Sequence, residues 1–479
     1  MESYRRLSSL TRNPRRCWIP KQSGKGSSFP MWVVFDNDIS HKGSGSFRKD
    51  NAKTPSARAR ATNGDPMLVS FTLVAPPAAS RLNLHYPEGA RKFNETALVA
   101  AHLDSVLFRV VAPSGPITTS HPWCCHTDYF VCKAGPSGLT MIGPLPPCYI
   151  DGRQMAGQGL AVLSHMLHIR DIGLLRCGEE FAVADMKMLI PDDDSMPVEA
   201  EVFRYRSNAA SKQWEIKRFP IHRGEDHGED RVHGLRWWVT DAVVPFEGNL
   251  CWIDYHRGIL FCNVFSEDPQ LRYVELPVEP PAGDTTDPEF GRAHAYVTRS
   301  VSVTNRGIMK FVNIARADGE IASKRRLGSG FTMTVWSLAT PLSSEKMDWV
   351  IDGTMTAEEL WEQFSYVMFK PCLPRLSPEF PFLSLNEPNM VYVVLRERGY
   401  GAGRTFVLAI DIKFKALQMI YPFKEMEDIP CEKYSEMTSS NIYNDFPVLP
   451  SLFSMYLNAS CSNDAVERPL IQIHDYEVC

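Results

Sequence analysis

The sequence predicts an all-β protein that resembles a propeller, with about six or seven irregular blades. Three observations predict this fold. Short apolar runs rich in Val, Ile, Phe, Tyr and Trp recur between turn residues from about residue 67 onward. Helical signals are scarce, and a coarse repeat places a proline after sets of successive strands. Two packed β-domains with Greek-key connections are the alternative.

The first 30 residues predict a basic leader. They contain seven Lys or Arg, six Ser and one acidic residue, Glu2. This composition is typical of organelle transit peptides, although a disordered, solvated leader with no specific role explains it more simply. We therefore expect a cytoplasmic or nuclear protein, with the mitochondrion or chloroplast as the alternative.

Residues 31–66 predict one short strand followed by a flexible linker. Met31–Phe35 is an apolar run, whereas residues 37–66 are rich in Ser, Lys, Gly and Ala and have little to bury. The expected organisation is a leader at 1–30, a strand and linker at 31–66, and a propeller-like body at 67–479.

Charge is unevenly divided along the chain. Residues 1–60 hold 13 basic and 4 acidic residues, a net of +9, whereas residues 61–479 hold 38 and 52, a net of −14. Binding of a polyanion requires a basic face, so we expect nucleic-acid binding only through the leader. No apolar run approaches the ~18 residues of a membrane span, so we expect no membrane insertion.

Within the body, the apolar runs have the length and composition of strands. One capping box, Thr356 with Glu359, predicts a short helix. The predicted strand runs are 67–74, 105–111, 128–132, 180–184, 201–205, 249–253, 258–262, 309–312, 331–336, 390–395 and 405–410.

The clearest repeat unit spans residues 249–277. It contains strands at 250–254, 259–265 and 271–276, separated by turns, and Pro277 follows the last strand. Similar units reach Pro146, Pro220 and Pro422. Because these prolines are unevenly spaced, the repeat leaves the number of blades open.

Five short motifs follow one another in the segment from Trp237 to Leu260. They are a Trp, a Thr-Asp pair, a Val-Pro pair, Leu-Cys-Trp-Ile-Asp, and Arg-Gly-Ile-Leu. This pattern resembles the grass-expanded plant family catalogued as DUF1618, a domain of unknown function, and further segments on both sides match in order. The resemblance implies a propeller similar to F-box-associated and kelch-type repeats, with no established activity or cofactor. No F-box-like helical segment precedes the body, so an adaptor role has no support.

The motif residues also have a structural explanation. Trp252 and Asp254 share one face of a strand, and Gly258 permits the positive φ that a tight hairpin requires. Asp241 can accept backbone hydrogen bonds at a turn. We therefore predict that the following residues specify the fold: Trp237, Asp241, Pro245, Trp252, Asp254, Gly258 and Pro277.

One His-rich and acidic segment is a weak candidate for a divalent metal site. Its candidate ligands are His222, His227, His233, Glu225 and Asp226. Interspersed glycines make the segment loop-like and nothing fixes a ligand geometry. The sequence also lacks CxxC, HExxH, GxSxG and P-loop motifs. We therefore expect no metal, no other cofactor and no identifiable catalytic residue.

The leading functional hypothesis is a non-enzymatic propeller that binds a protein or peptide. The alternative is a carboxylate-based hydrolase that uses the propeller mouth as its pocket. Carboxyl groups with raised pKa that converge at one mouth would favour the enzyme. A broad apolar surface rimmed by charge would favour the binder.

Overall fold

Strands form nearly all of the described secondary structure. The computed structural model describes residues 29–42, 55–87, 94–112, 126–135, 137–148, 167, 169–189, 198–222, 234–279, 294–319, 328–339, 347–363, 373–396, 405–423 and 448–458. Small sheets are arranged around a central axis as a six-bladed β-propeller. The predicted all-β propeller is therefore confirmed.

Blades 2 to 6 each contain four consecutive antiparallel strands. Blade 2 contains β6 (Asn94–His102), β7 (Ser105–Ala112), β8 (His126–Gly135) and β9 (Gly138–Ile142). Blade 3 contains β10 (Gly173–Cys177), β11 (Glu180–Leu189), β12 (Glu199–Arg206) and β13 (Trp214–His222). Blade 4 contains β14 (Ala242–Phe246), β15 (Asn249–Asp254), β16 (Gly258–Cys262) and β17 (Leu271–Glu275). Blade 5 contains β18 (Arg299–Val303), β19 (Met309–Arg316), β20 (Phe331–Leu338) and β21 (Trp349–Thr356). Blade 6 contains β22 (Glu379–Leu383), β23 (Met390–Arg396), β24 (Thr405–Asp411) and β25 (Ala416–Phe423).

Blade 1 joins the two ends of the described chain. Its strands are β1 (Val33–Asp36), β2 (Ser40–Lys42), β3 (Ser56–Arg60), β4 (Pro66–Thr72), β5 (Ala79–His85) and β26 (Val448–Ser451). The strand order is β26-β1-β5-β4-β3, with β2 alongside β5. β26 is thus the innermost strand of blade 1 and pairs antiparallel with β1. This pairing closes the ring.

The first strand of each later blade faces the axis. Neighbouring innermost strands contact one another in the order β6, β10, β14, β18, β22, β26 and back to β6. Six apolar clusters lie between adjacent blades, so each blade buries both faces of its sheet against its neighbours. The outermost strands of blades 3 and 4, β13 and β17, also pair in parallel over two residues.

The predicted strand runs lie in strands of the structure, except that the run 67–74 extends two residues beyond the end of β4. The predicted helix is α1 (Ala357–Trp361), and Thr356 and Glu359 form its capping box. Two of the four proline markers differ from the prediction, since Pro220 lies inside β13 and Pro422 inside β25. Both strands are outermost in their blades. A proline is tolerated in such an edge strand, because its missing N–H can lie on the side that faces away from the sheet.

The structure also differs from the expected linker at residues 37–66. The short strand predicted near Met31–Phe35 is β1, but the following segment supplies β2 and β3 to the same sheet. β3 pairs with β4 through alternating small and charged residues, Ser56-Ala-Arg-Ala-Arg60. Because β3 lies at an outer edge of the sheet, it needs few apolar side chains. The composition of residues 37–66 is therefore similar to that of a linker, although part of this segment forms strands.

The connections differ greatly between the two ends of the propeller. We call the end at which the innermost strands begin the upper face. Connections at the opposite face are short, for example residues 103–104, 178–179 and 247–248. Consecutive strands whose facing ends lie at the upper face are separated by longer stretches of sequence, which include residues 113–125, 143–172, 223–241, 276–298 and 424–447. The longest stretches of sequence between consecutive strands therefore start and end at the upper face.

Candidate functional site

A wide channel runs along the propeller axis. Its volume is about 1810 Å³, and all six innermost strands line it. We refer to the end of this channel at the upper face as the upper mouth. Ring closure brings to the upper mouth the residues that directly precede the innermost strands of different blades.

The channel wall is largely apolar. β14 contributes Val243 and Val244, and β26 contributes Val448 and Leu449, all partly exposed. Three innermost strands carry a proline in the wall: Pro245, Pro381 and Pro450. Proline fits an edge strand where its missing N–H would point away from the neighbouring strand. In three of the six innermost strands, an apolar proline ring therefore replaces one backbone N–H group at the channel wall.

A row of cationic and aromatic side chains lies at the upper mouth. The Arg170 guanidinium lies 4.9 Å from the ring centroid of Tyr296, although their innermost strands belong to blades 3 and 5. The Tyr296 and Phe380 centroids are 6.5 Å apart with the rings tilted by 33°. The Arg396 guanidinium lies 5.9 Å from the Phe380 centroid. Arg170, Tyr296 and Phe380 all line the channel.

Phe380 has a strained backbone. Its φ is 49°, in the left-handed region that disfavours residues with a side chain, and the register between β22 and β23 shifts at this point. Such a conformation costs on the order of 1–3 kcal/mol and persists only where surrounding contacts enforce it. The ring of Phe380 is nevertheless buried and packs with Val297 and Val394 at the channel wall.

A carboxyl group with a raised pKa lies beside this row. Burial, together with the charge of Asp185, raises the pKa of Asp171 to about 7. A hydrogen bond from Thr240 and the charges of Lys187 and Arg170 act in the opposite direction. Asp171 does not line the channel, and Asp185 is fully buried.

The two aspartates of the motif segment organise the start of blade 4. Asp254 is fully buried and accepts hydrogen bonds from the backbone of Val239 at 3.0 Å and His256 at 2.8 Å. Its carboxylate also contacts the Arg257 guanidinium at 3.1 Å. Asp241 accepts a hydrogen bond from the Tyr255 backbone at 2.8 Å. The two carboxylates therefore hold the entry to β14 and the turn between β15 and β16.

Arg299 links this carboxylate pair to blade 5. It is the first residue of β18, and its guanidinium donates to the carbonyls of Tyr255 and Glu279 and to the side chain of Asn313. Burial lowers the pKa of Arg299 to about 10, while Asp241 and Asp254 favour its charged form. It therefore stays protonated at neutral pH and contributes positive charge to the channel wall.

The other motif residues have clear local contacts. Trp252 is fully buried and donates from Nε1 to the carbonyl of Asp171 at 2.6 Å, which ties blade 4 to blade 3. Pro245 lies in β14, Trp237 ends a 3-10 helix and is 39% exposed, and β17 ends two residues before Pro277.

The predicted role of Gly258 is wrong in its detail. Gly258 is not among the residues with positive φ. A Cβ at this position would lie 2.4 Å from the carbonyl oxygen of Val274 and 2.6 Å from the ring of Tyr273. Gly258 is needed because β17 approaches its backbone closely, and not because of the conformation of the turn.

The candidate metal segment falls mainly outside the described residues. Glu225, Asp226, His227 and His233 are not described, and His222 is the last residue of β13. Within the described ranges, no three His, Cys, Asp or Glu side chains are grouped so that they could hold a metal ion.

The upper mouth was not found from the sequence. Arg170, Asp171, Tyr296 and Phe380 lie in connections or at strand starts, where periodicity is weak. The one available signal was indirect: each of them stands close before, or at the start of, a short apolar run that becomes an innermost strand. Recognising those runs as innermost strands would have predicted the convergence.

Comparisons with known proteins find similarity to a domain of unknown function and give no activity. Residues 252–392, from β15 to β23, match the family model DUF1618, described as a protein of unknown function, which supports the resemblance to this domain family over that part of the chain. Among curated proteins, none matches the chain. Among the described residues, no helix is long and apolar enough to cross a membrane.

Several solved structures share a distant likeness with the chain. Polysaccharide lyase Uly1 is 9% identical with a TM-score of 0.28, over 83% of this chain and 90% of that one. Zg3597, a family 117 glycoside hydrolase produced by the marine bacterium Zobellia galactanivorans, is 9% identical with a TM-score of 0.24, over 74% and 89%. Xylan β-1,4-xylosidase from Bacillus Halodurans C-125 is 10% identical with a TM-score of 0.21, over 78% and 72%. Likeness at these scores says nothing about what this chain does.

Proposed function

We propose that the protein is a non-enzymatic scaffold that binds a protein or peptide partner at the upper mouth of its channel. The observation that carries this proposal is the largely apolar channel wall, with aromatic and charged side chains at its mouth. Apolar surface rimmed by charge is typical of surfaces that bind other proteins.

The size of the channel favours a peptide over a small molecule. Its volume of about 1810 Å³ exceeds the roughly 300–1,000 Å³ of ordinary small-molecule pockets. An extended segment of a partner could enter such a space with several of its side chains. The prolines of β14, β22 and β26 disfavour pairing of this segment with the innermost strands, so side-chain contacts would supply the affinity.

The long connections support the upper face as the binding face. Binding residues in rigid scaffolds are commonly carried by connecting segments, while the strands build the platform. Most stretches of sequence that join strand ends at the upper face are longer than those at the opposite face.

A display experiment tests the proposal. Random peptides displayed on phage are selected on the immobilised full chain and on two variants, Val244→Asp and Val350→Asp. Val244 lies in the channel wall, whereas Val350 is 53% exposed on the outer strand β21. We expect Val244→Asp to abolish the binding of selected peptides and Val350→Asp to leave it intact. Equal binding to both variants, each folded by circular dichroism, would reject a channel site.

The motif residues and the leader have separate proposed roles. We propose that Asp241, Trp252, Asp254 and Gly258 specify the fold, which their buried contacts support. We also propose a plant protein of the cytoplasm or nucleus that does not bind nucleic acid except through its basic leader at residues 1–30. Deleting residues 1–28, without removing β1 to β3, should abolish retention on a DNA column. Unchanged retention would reject this role.

One observation favours a second function. Asp171 has a pKa of about 7, raised by burial and by the charge of Asp185, and a general acid of a hydrolase requires a raised pKa of this kind. Hydrolysis of glycoside and ester substrates between pH 5 and 8, measured for the wild type and Asp171→Asn, tests this alternative. Turnover lost in Asp171→Asn would support the enzyme, and the absence of turnover in the wild type would reject it.

A further inference from the structure

We propose that the upper mouth recognises an aromatic residue that neighbours an Asp or Glu in the partner peptide, with Tyr296 contacting the aromatic ring, the buried Phe380 ring supporting Tyr296, and Arg170 binding the carboxylate. This inference rests on the proposed peptide-binding function and adds the chemistry of the bound segment. None of these three residues belongs to the motif segment between Trp237 and Pro277.

The aromatic part follows from the two rings. Tyr296 is partly exposed at the channel wall, and the Phe380 ring adjoins it at 6.5 Å. Aromatic pairs prefer tilted or offset arrangements with centroids roughly 4.5–7 Å apart. A third ring from a partner would extend this pair into the apolar channel, where Val244 and Pro381 continue the wall.

The anionic part follows from Arg170. Its guanidinium already lies over the Tyr296 ring, and it is partly exposed at the mouth. A guanidinium can stack through its face while its N–H edge donates to a carboxylate, and stacking restricts its orientations before a ligand arrives. An acidic side chain beside a bound aromatic ring would then meet a donor that is already positioned.

The local charge balance also favours an anion. The carboxyl group next to Arg170 in sequence is that of Asp171, whose pKa of about 7 leaves it partly protonated at neutral pH. Arg299 adds a second positive charge to the channel wall. Three acidic residues, Asp38, Asp241 and Glu247, also line the channel. The Asp241 carboxylate accepts a hydrogen bond from the Tyr255 backbone, and Glu247 lies in the turn between β14 and β15 at the opposite face.

The strained backbone of Phe380 is an independent observation. Its φ of 49° places a bulky side chain where only a rigid surrounding would keep it. Arg396 from β23 lies over this ring, and Val297 and Val394 pack against it. The ring is thereby held in the channel wall beside Tyr296, which is the pre-organisation that a recognition site requires.

The test selects phage-displayed twelve-residue random peptides on the immobilised full chain and measures each selected peptide, made synthetically, by fluorescence anisotropy. The variants are Arg170→Ala, Tyr296→Leu and the matched control Arg218→Ala. Arg218 lies on the outer strand β13 with its side chain 61% exposed, away from the channel. Each peptide is also made with its acidic residue replaced by Asn or Gln, or with its aromatic residue replaced by Leu.

We expect the selected peptides to contain an aromatic residue next to Asp or Glu. Replacement of the acidic residue should weaken binding to the wild type by about tenfold or more, because it removes a charge-assisted hydrogen bond to Arg170. The same replacement should change the affinity for Arg170→Ala little, because that variant already lacks this hydrogen bond. Tyr296→Leu should remove the aromatic preference in the same way, and Arg218→Ala should bind like the wild type.

The outcomes separate this inference from the proposed function. Selection of no peptide on the wild type would reject the peptide-binding function, and this inference with it. Peptides that bind without an aromatic–acidic pair would reject only the inference. So would affinities that Arg170→Ala and Tyr296→Leu leave unchanged while both variants keep the wild-type circular dichroism spectrum.

Discussion

Asp171→Asn should change how the stability of the protein depends on pH. The pKa of Asp171 is raised from 3.8 to about 7, mainly because burial disfavours the charged carboxylate. The folded protein therefore binds this proton more tightly than the unfolded chain. The stabilisation by the bound proton is fully present below pH 3.8 and is lost as pH rises through about 7.

The shift sets the size of the effect. A rise of about three pKa units, at about 1.36 kcal/mol for each unit, corresponds to at most about 4 kcal/mol. The carboxyl group is partly exposed and water screens it, so the observed value should fall below this limit. Asn cannot ionise, so the free energy of unfolding of Asp171→Asn, relative to wild type, should increase between pH 4 and pH 8.

Urea unfolding at unit intervals from pH 4 to pH 8 measures the difference. Asp268→Asn is the matched control, because Asp268 is exposed in the connection between β16 and β17 and should give a difference that changes little with pH. Parallel pH profiles for Asp171→Asn and wild type would refute the reasoning. They would show that the Asp171 carboxyl is as well solvated in the folded protein as in the unfolded chain.

The remaining predictions concern contacts that build the ring. Gly258→Ala should destabilise the protein by about 1–3 kcal/mol in urea unfolding, because its Cβ would overlap the Val274 carbonyl, whereas Gly330→Ala, which has ordinary spacing, should cost less than about 1 kcal/mol. Trp252→Phe should cost about 1–3 kcal/mol in the same assay, because it leaves the carbonyl of Asp171 without its donor; no loss would show that water replaces the indole. A chain truncated after residue 447 lacks β26 and should unfold at a lower temperature in calorimetry than one truncated after Asn458, and equal midpoints would contradict closure by β26.

The propeller was predictable because most strands are buried on both faces. Runs such as Met390–Arg396 consist almost entirely of β-branched or large apolar residues. Such a composition predicts a strand even when the neighbouring strands are unknown. Innermost and outermost strands were harder to recognise. β14 contains a proline, β26 is four residues long and β3 alternates Arg with Ala, since an edge strand tolerates each of these.

The candidate site was not predictable for a different reason. Arg170, Tyr296 and Phe380 come from the starts of three blades, and only closure of the ring brings them to one mouth. The motif segment from Trp237 to Pro277 was recognisable in the sequence because its residues build one blade and therefore form a pattern within one continuous stretch. A site assembled from separate blades leaves no such pattern.

The position of β26 imposes an order on the synthesis of the protein. A ribosome delivers β1 to β5 first, yet the partner that covers β1 begins at residue 448. Blades 2 to 6 can form as they emerge, while blade 1 waits with an uncovered inner strand. The amide of Phe29 bonds to Asn458 across 429 positions of sequence, which makes this one of the last contacts that the nascent chain can form. Until then, β26 of a neighbouring copy could pair with the uncovered β1. We therefore expect strand exchange between chains on crowded polysomes.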